Sequence, residues 1–111
     1  MLDSTLETLL WTHEELDDYS NCDCHYSLIN TINLDISEFL TKADQRGISF
    51  DGYDLNQIAR DFILTRNRHG SGFWDGDYPE PLATQLTELS HEYPSILVYI
   101  GDDDRLYGME G

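Results

Sequence analysis

The stretch LNQIARDFI, residues 55–63, decides the fold because its apolar residues recur at the spacing of an amphipathic helix. Asp54 and Gln57 stand at the positions of a capping box, which predicts that the helix starts here. The helix is expected to end near Asn67, before the glycines that follow. Other elements must cover its apolar stripe, so a helical core is predicted. The stripe comprises Leu55, Ile58, Ala59, Phe62 and Ile63.

Two helices are predicted on the N-terminal side of this stretch. Leucines at helical spacing indicate the first over residues 3–13. Apolar residues from 28 to 43 indicate the second, with Ser27 as its N-cap and room for a break near Asn33. Gly47 stands where a left-handed residue would close this second helix.

A fourth helix and a hairpin are predicted on the C-terminal side. The helix starts after Asp77, and Pro94 prevents its continuation. The segments ILVYI at 96–100 and RLYGM at 105–109, joined by GDDD, indicate a β-hairpin. The expected fold class is therefore α+β. We expect a single acidic globular domain of 111 residues, mostly helical, with about four helices and a C-terminal β-hairpin.

The charge of the chain excludes several classes of partner. There are 22 acidic and 6 basic residues, which gives a formal net charge of −16. Such a charge repels nucleic acid and anionic membranes and attracts basic protein surfaces. A hydrophobic content of 40% argues against a disordered acidic tail. The N-terminus lacks the basic region of a signal peptide, so a cytoplasmic protein is expected.

The acidic residues are unevenly placed, which indicates a partner-binding role. Residues 1–41 contain nine acids and no Lys or Arg, and residues 75–111 carry a net charge of −8. Duplex DNA carries about one negative charge per 1.7 Å of its axis, and an acidic domain can imitate that field. The candidate partner-binding residues are Asp3, Glu7, Glu14, Glu15, Asp17, Asp18, Asp23, Asp35, Glu38, Asp75, Asp77, Asp102 and Asp103.

The loop after the third helix allows two interpretations. Arg66, His69 and Asp75 could form an acid–base or phosphate site, but no nucleophile motif, glycine-rich phosphate loop or metal signature completes it. Alternatively, glycines reverse the chain, an aromatic pair enters the core, and the arginines pair with carboxylates. This structural interpretation is favoured. Its structural residues are Gly70, Gly72, Phe73 and Trp74.

The same region resembles a group of small acidic bacteriophage proteins. The resemblance lies in DFILTRNRHGSGFWDGDY at 61–78 and LATQLTELSHEYPSILVYIGDDDRLY at 82–107. The group's pattern is D-F-x-L-T-R-N-x-H-G-x-G-F-W-D, a helix, and a hairpin containing Y-x-G-D-D. The resemblance implies a phage origin and a shared core, and it transfers no catalytic residue. This chain has Asp104 where the group usually has glycine.

Metal sites are disfavoured by the sequence, and no cofactor is expected. Cys22, Cys24 and His25, with or without His13, could bind zinc, but structural zinc sites usually show two separated ligand pairs. Free cysteines are therefore favoured. The aspartates at 102–104 lack the spacing, glycine and glutamate of a calcium loop.

These observations predict a non-enzymatic inhibitor. The expected function is that of a phage-encoded DNA mimic that occupies the basic groove of a host nucleic-acid-binding protein, such as a CRISPR effector or restriction enzyme. Tyr19, Tyr26 and Tyr78 are candidate anchors, and a homodimer is possible. Two alternatives stay open: a small enzyme or ligand-binding domain that uses Arg66, His69 and Asp75, and a regulator that binds a host protein through an uncharged surface.

Overall fold

A computed structural model shows four helices followed by a two-stranded antiparallel sheet. It describes residues 2–13, 16, 18–50, 52–68, 72–73 and 78–110, with only the backbone of 2–4. Of the helices in this described part, none has the length and apolar character needed to cross a membrane. The elements are α1 (Leu2–Trp11), a short 3-10 helix (Asn21–Asp23), α2 (Tyr26–Gln45), α3 (Leu55–Arg66), α4 (Leu82–Ser90), β1 (Ile96–Ile100) and β2 (Leu106–Glu110). The predicted α+β class is confirmed.

The core is built where all four helices meet. α3 packs against α1 and α4, and α2 contacts α1, α4 and β2. Phe39 of α2 stacks on Phe62 of α3 with their ring centroids 4.2 Å apart, and both side chains are buried. Tyr93 meets the Phe62 ring edge-on at 5.0 Å. Aromatic pairs in these geometries add to the stability that apolar burial alone provides.

Local hydrogen bonds explain where α2 and α3 begin. The Asp54 carboxylate accepts a hydrogen bond from the Asn56 N–H at 2.9 Å, so Asp54 caps α3 as the sequence predicts. α2 begins two residues earlier than predicted because His25, rather than Ser27, accepts a capping hydrogen bond. It then continues through Asn33 without a break. Gly47 has a φ of 76°, which matches its predicted role just beyond the helix.

The hairpin has a defined register and a covered edge. Ile96 pairs with Glu110 at its open end, and Ile100 pairs with Leu106 beside the turn. The outer edge of β1 is bonded by side chains that follow two helices: Asn67, after α3, exchanges hydrogen bonds with the Ile96 backbone, and His13, after α1, accepts one from the Val98 N–H at 3.1 Å. These contacts satisfy an edge that could otherwise pair with another chain.

Arg66 forms a buried ion pair at the C-terminal end of α3. Its guanidinium donates from Nη1 to Asp35 at 2.8 Å and from Nε to the Pro94 carbonyl at 3.0 Å. The charge also lies 5.3 Å from the Phe62 ring centroid and 5.2 Å from that of Tyr93. The Arg66 side chain has no exposed surface, whereas 21% of the Asp35 side chain is exposed. This pair therefore joins α2, α3 and the segment before β1.

The hydrogen bond between Tyr93 and Glu38 makes stability depend on pH. The Tyr93 hydroxyl donates to Glu38 at 2.9 Å, and this bond, together with Lys42, lowers the pKa of Glu38. A lowered carboxyl pKa contributes stability above the unfolded-state pKa, and that contribution is lost as the pH falls through the folded-state pKa. We therefore expect Tyr93→Phe to lower the thermal unfolding midpoint at pH 7 and to lower it less at acidic pH, below about 4.

The control for this measurement is Tyr26→Phe, because the Tyr26 ring is exposed and outside the core. It should leave the midpoint nearly unchanged at both pH values. A Tyr93→Phe deficit that stays constant from pH 7 to acidic pH would show that the hydroxyl does not act through Glu38.

Candidate functional site

Two acidic segments that are far apart in the sequence meet at the turn end of the β-hairpin. The Tyr19 hydroxyl donates a hydrogen bond to the Asp104 carboxylate at 2.8 Å, across 85 residues. That bond, followed by burial and by the charges of Asp104, Asp23 and Asp18, raises the pKa of Tyr19. The loop that follows α1 and the β1–β2 turn therefore form one surface. We call it the acidic end and define it by Asp18, Asp23, Asp102, Asp103 and Asp104.

The turn holds its carboxylates in fixed positions. Asp104 adopts a φ of 62°, a left-handed conformation that aspartate tolerates better than most residues. The Asp103 carboxylate accepts from the Tyr107 hydroxyl at 2.7 Å and from the Arg105 N–H at 3.1 Å. Chiefly because of the tyrosine bond, the pKa of Asp103 is lowered. The lowered pKa favours the ionised form of the Asp103 carboxylate at neutral pH.

A row of aromatic rings in contact runs beside these carboxylates. The ring centroids of Tyr26 and His25 are 4.3 Å apart, those of His25 and Tyr107 are 4.5 Å apart, and those of Tyr107 and Tyr99 are 5.7 Å apart. Tyr26 and Tyr99 are exposed at the two ends of the row. The acidic end therefore combines negative charge with flat apolar surfaces, which suits a partner that carries both cations and planar groups.

The other predicted acidic residues are not part of the acidic end. Glu7 is exposed on α1 and lines the same cleft as Tyr19, whereas Glu38 is exposed on α2, about 18 Å along that helix from Tyr26. Asp35 differs from the prediction: it is held by the buried Arg66 and does not face outward for a partner. The side chain of Asp3 and all of Glu14, Glu15, Asp17, Asp75 and Asp77 lie outside the described residues.

The predicted anchor Tyr78 and the predicted structural residues lie in different environments from one another. Tyr78 is buried and donates to Asp61 at 2.7 Å, so it does not provide the surface anchor that the sequence suggested. Phe73 is buried, and its N–H donates to the Thr65 hydroxyl at 3.1 Å. Gly72 has a φ of 148°. Gly70 and Trp74 lie outside the described residues.

The alternative acid–base site loses its arginine. The alternative interpretation needs Arg66 beside His69 and Asp75, but the Arg66 side chain is buried and bonded to Asp35 and the Pro94 carbonyl. It therefore cannot reach a substrate without breaking a buried ion pair. The sequence does contain a signal for this burial. Position 66 comes four residues after Phe62 and three after Ile63, so it lies on the same apolar face of the helix.

The residues considered as zinc ligands have other roles. His13 is buried, with Nδ1 2.9 Å from the Leu9 carbonyl oxygen and Nε2 bonded to the β1 backbone. Cys24 is buried, which raises the pKa of its thiol and disfavours the thiolate that binds metal. His25 caps α2, and Cys22 is exposed. Within the described part of the chain, no three His, Cys, Asp or Glu residues are grouped to hold a metal ion.

Comparison of the chain with protein-family models, with curated proteins and with solved structures found no match.

Proposed function

We propose that this protein is a nucleic-acid mimic that binds the basic groove of a host nucleic-acid-binding protein through its acidic end. The observation that carries the proposal is the meeting of the Asp18–Asp23 loop with the Asp102–Asp104 turn beside stacked rings. Carboxylates would take the place of phosphates, and the rings would provide the flat apolar faces that bases present.

The charge density of the molecule supports this proposal. A net charge of −16 over a longest dimension of 44 Å corresponds to about one net charge per 2.8 Å. This value lies between about 1.7 Å for duplex DNA and about 3.4 Å for one of its strands. The magnitude of the net charge is also about twice the largest value, about 8, that a small domain needs for solubility.

The distribution of the basic residues adds to this support. Lys42 pairs with Glu38, Arg46 with Glu92, and Arg66 with Asp35. Each of these pairs neutralises one acid, so the excess of 16 negative charges falls on the remaining residues. None of these three bases belongs to the acidic end, where Arg105 is the base that follows the turn.

The mechanism would be steric occupation without turnover. The acidic end would enter the groove, release the ions that accompany both charged surfaces and exclude nucleic acid. The resemblance of residues 61–107 to phage proteins suggests that the target belongs to a bacterial defence system, such as a CRISPR effector or a restriction enzyme. In that setting the protein would act in the cytoplasm of the host.

The proposal is tested by capture from a nuclease-treated extract of the host bacterium on the immobilised protein. We expect a nucleic-acid-binding protein to be retained at low salt and to be released by excess duplex DNA at constant ionic strength. Raising the salt from about 50 to 200 mM should weaken binding by about 10³-fold if six or more charges are matched.

Nuclease treatment excludes capture through bridging DNA. A captured protein that duplex DNA fails to release, or that is held equally well at low and high salt, would contradict the proposal. Inhibition that continues at far less than one molecule of this protein per target would contradict the absence of turnover.

A further inference from the structure

A cleft opens beside the acidic end, between α1 and the segment that follows it. It has a volume of about 380 Å³, and its walls include Leu10, Trp11, Leu16 and Tyr19, with Glu7 at its side. Leu10 and Leu16 are buried and form the apolar floor, whereas 66% of Trp11 is exposed. The cleft therefore has an apolar interior, an accessible indole ring and a carboxylate at its wall.

The wall formed by Tyr19 is held from outside the cleft. Its hydroxyl is bonded to Asp104, so the hairpin turn holds a residue that also lines the cleft. The raised pKa of Tyr19 reflects the hydrogen bond to Asp104, burial, and the charges of Asp104, Asp23 and Asp18. The cleft thus lies within the negative field of the acidic end.

We propose that this cleft binds an arginine side chain of the basic partner. This inference rests on the proposed function and deepens it by naming one contact. The methylene stem of arginine suits the apolar floor, and its planar guanidinium can stack on Trp11 and pair with Glu7. Arginine fits better than lysine because a guanidinium both stacks on a ring and forms two parallel bonds to a carboxylate.

Binding of a single arginine can be measured without the natural partner. We would titrate the ¹⁵N-labelled protein with acetyl-Gly-Arg-Gly-amide and follow its amide and indole signals. The Trp11→Phe variant assigns the Trp11 indole signal. This signal and those of the Leu10 and Tyr19 amides should shift on titration and give a dissociation constant of roughly millimolar size. The same peptide with citrulline, which lacks the charge, should bind at least about tenfold more weakly.

Glu7→Gln should weaken binding of the arginine peptide about threefold or more. The matched control Glu88→Gln, on α4, should leave the affinity for this peptide unchanged.

Equal shifts with the arginine and citrulline peptides, or shifts confined to residues 102–104, would overturn the cleft assignment. Capture of a DNA-displaceable protein by the Trp11→Ala variant at unchanged affinity would also overturn it and would leave the proposed function intact. Conversely, if the peptide binds the cleft but no captured protein is released by DNA, the arginine site stands and the mimic proposal fails.

Discussion

Replacing Asp35 with asparagine is expected to lower the free energy of unfolding by about 3–5 kcal/mol, the typical cost of leaving a buried charge without its partner. The Arg66 side chain has no exposed surface, and its Nη2 has no hydrogen-bond partner among the described residues. With asparagine at position 35, Nη1 can still donate to the amide oxygen, but the buried guanidinium loses its charged partner and keeps only neutral ones, among them the Pro94 carbonyl and the neighbouring rings. Urea-induced unfolding of the two proteins measures the difference.

Two further variants test whether the buried charge is the cause. Asp44→Asn removes one charge from an exposed position on the same helix and should change stability by less than about 0.5 kcal/mol. The double variant Asp35→Asn with Arg66→Met should be more stable than Asp35→Asn alone, because an apolar side chain can replace a buried ion pair at little cost. If the double variant is less stable than Asp35→Asn, the unpaired charge is not the source of the loss.

The helical part of the fold could be predicted because it depends on local patterns. α3 begins after Asp54 and ends at Arg66, one residue before the predicted boundary at Asn67. Leu55 is the exception on its stripe, since it is 46% exposed in the first turn. The sequence left room for a break near Asn33, but α2 continues through this position, with Ile32 and Ile36 buried on either side of it. Tertiary packing overrode the weak local signal there.

The candidate site could be predicted only in part because its contacts are distant in the sequence. Composition indicated carboxylates, but the bond between Tyr19 and Asp104 links residues that no periodicity connects. The stacking of His25 on Tyr107 likewise depends on how α2 meets β2. The favoured interpretation, in which the arginines pair with carboxylates, holds for Arg66. The sequence could not name the partner, because Asp35 lies 31 residues away.

Neutralising the turn by replacing Asp102, Asp103 and Asp104 with asparagine is expected to weaken binding of the captured partner about tenfold or more at low salt. The turn should keep its shape, because asparagine tolerates the left-handed conformation of residue 104. The side-chain oxygens of the new asparagines can still accept hydrogen bonds, from Tyr19 at position 104 and from Tyr107 at position 103. The loss should shrink at high salt, where the charges are screened. Titration of the partner at two salt concentrations measures both effects.

Whether the location or only the number of charges matters is decided by a second triple variant. Asp44→Asn, Glu88→Gln and Glu110→Gln removes the same charge from exposed positions away from the turn, with Glu110 at the opposite end of the hairpin. It should reduce affinity far less than the turn variant does. Equal losses would mean that the partner responds to net charge and not to the acidic end. Because steering by net charge acts mainly on association rates, a larger dissociation rate for the turn variant alone would place the contact at the hairpin.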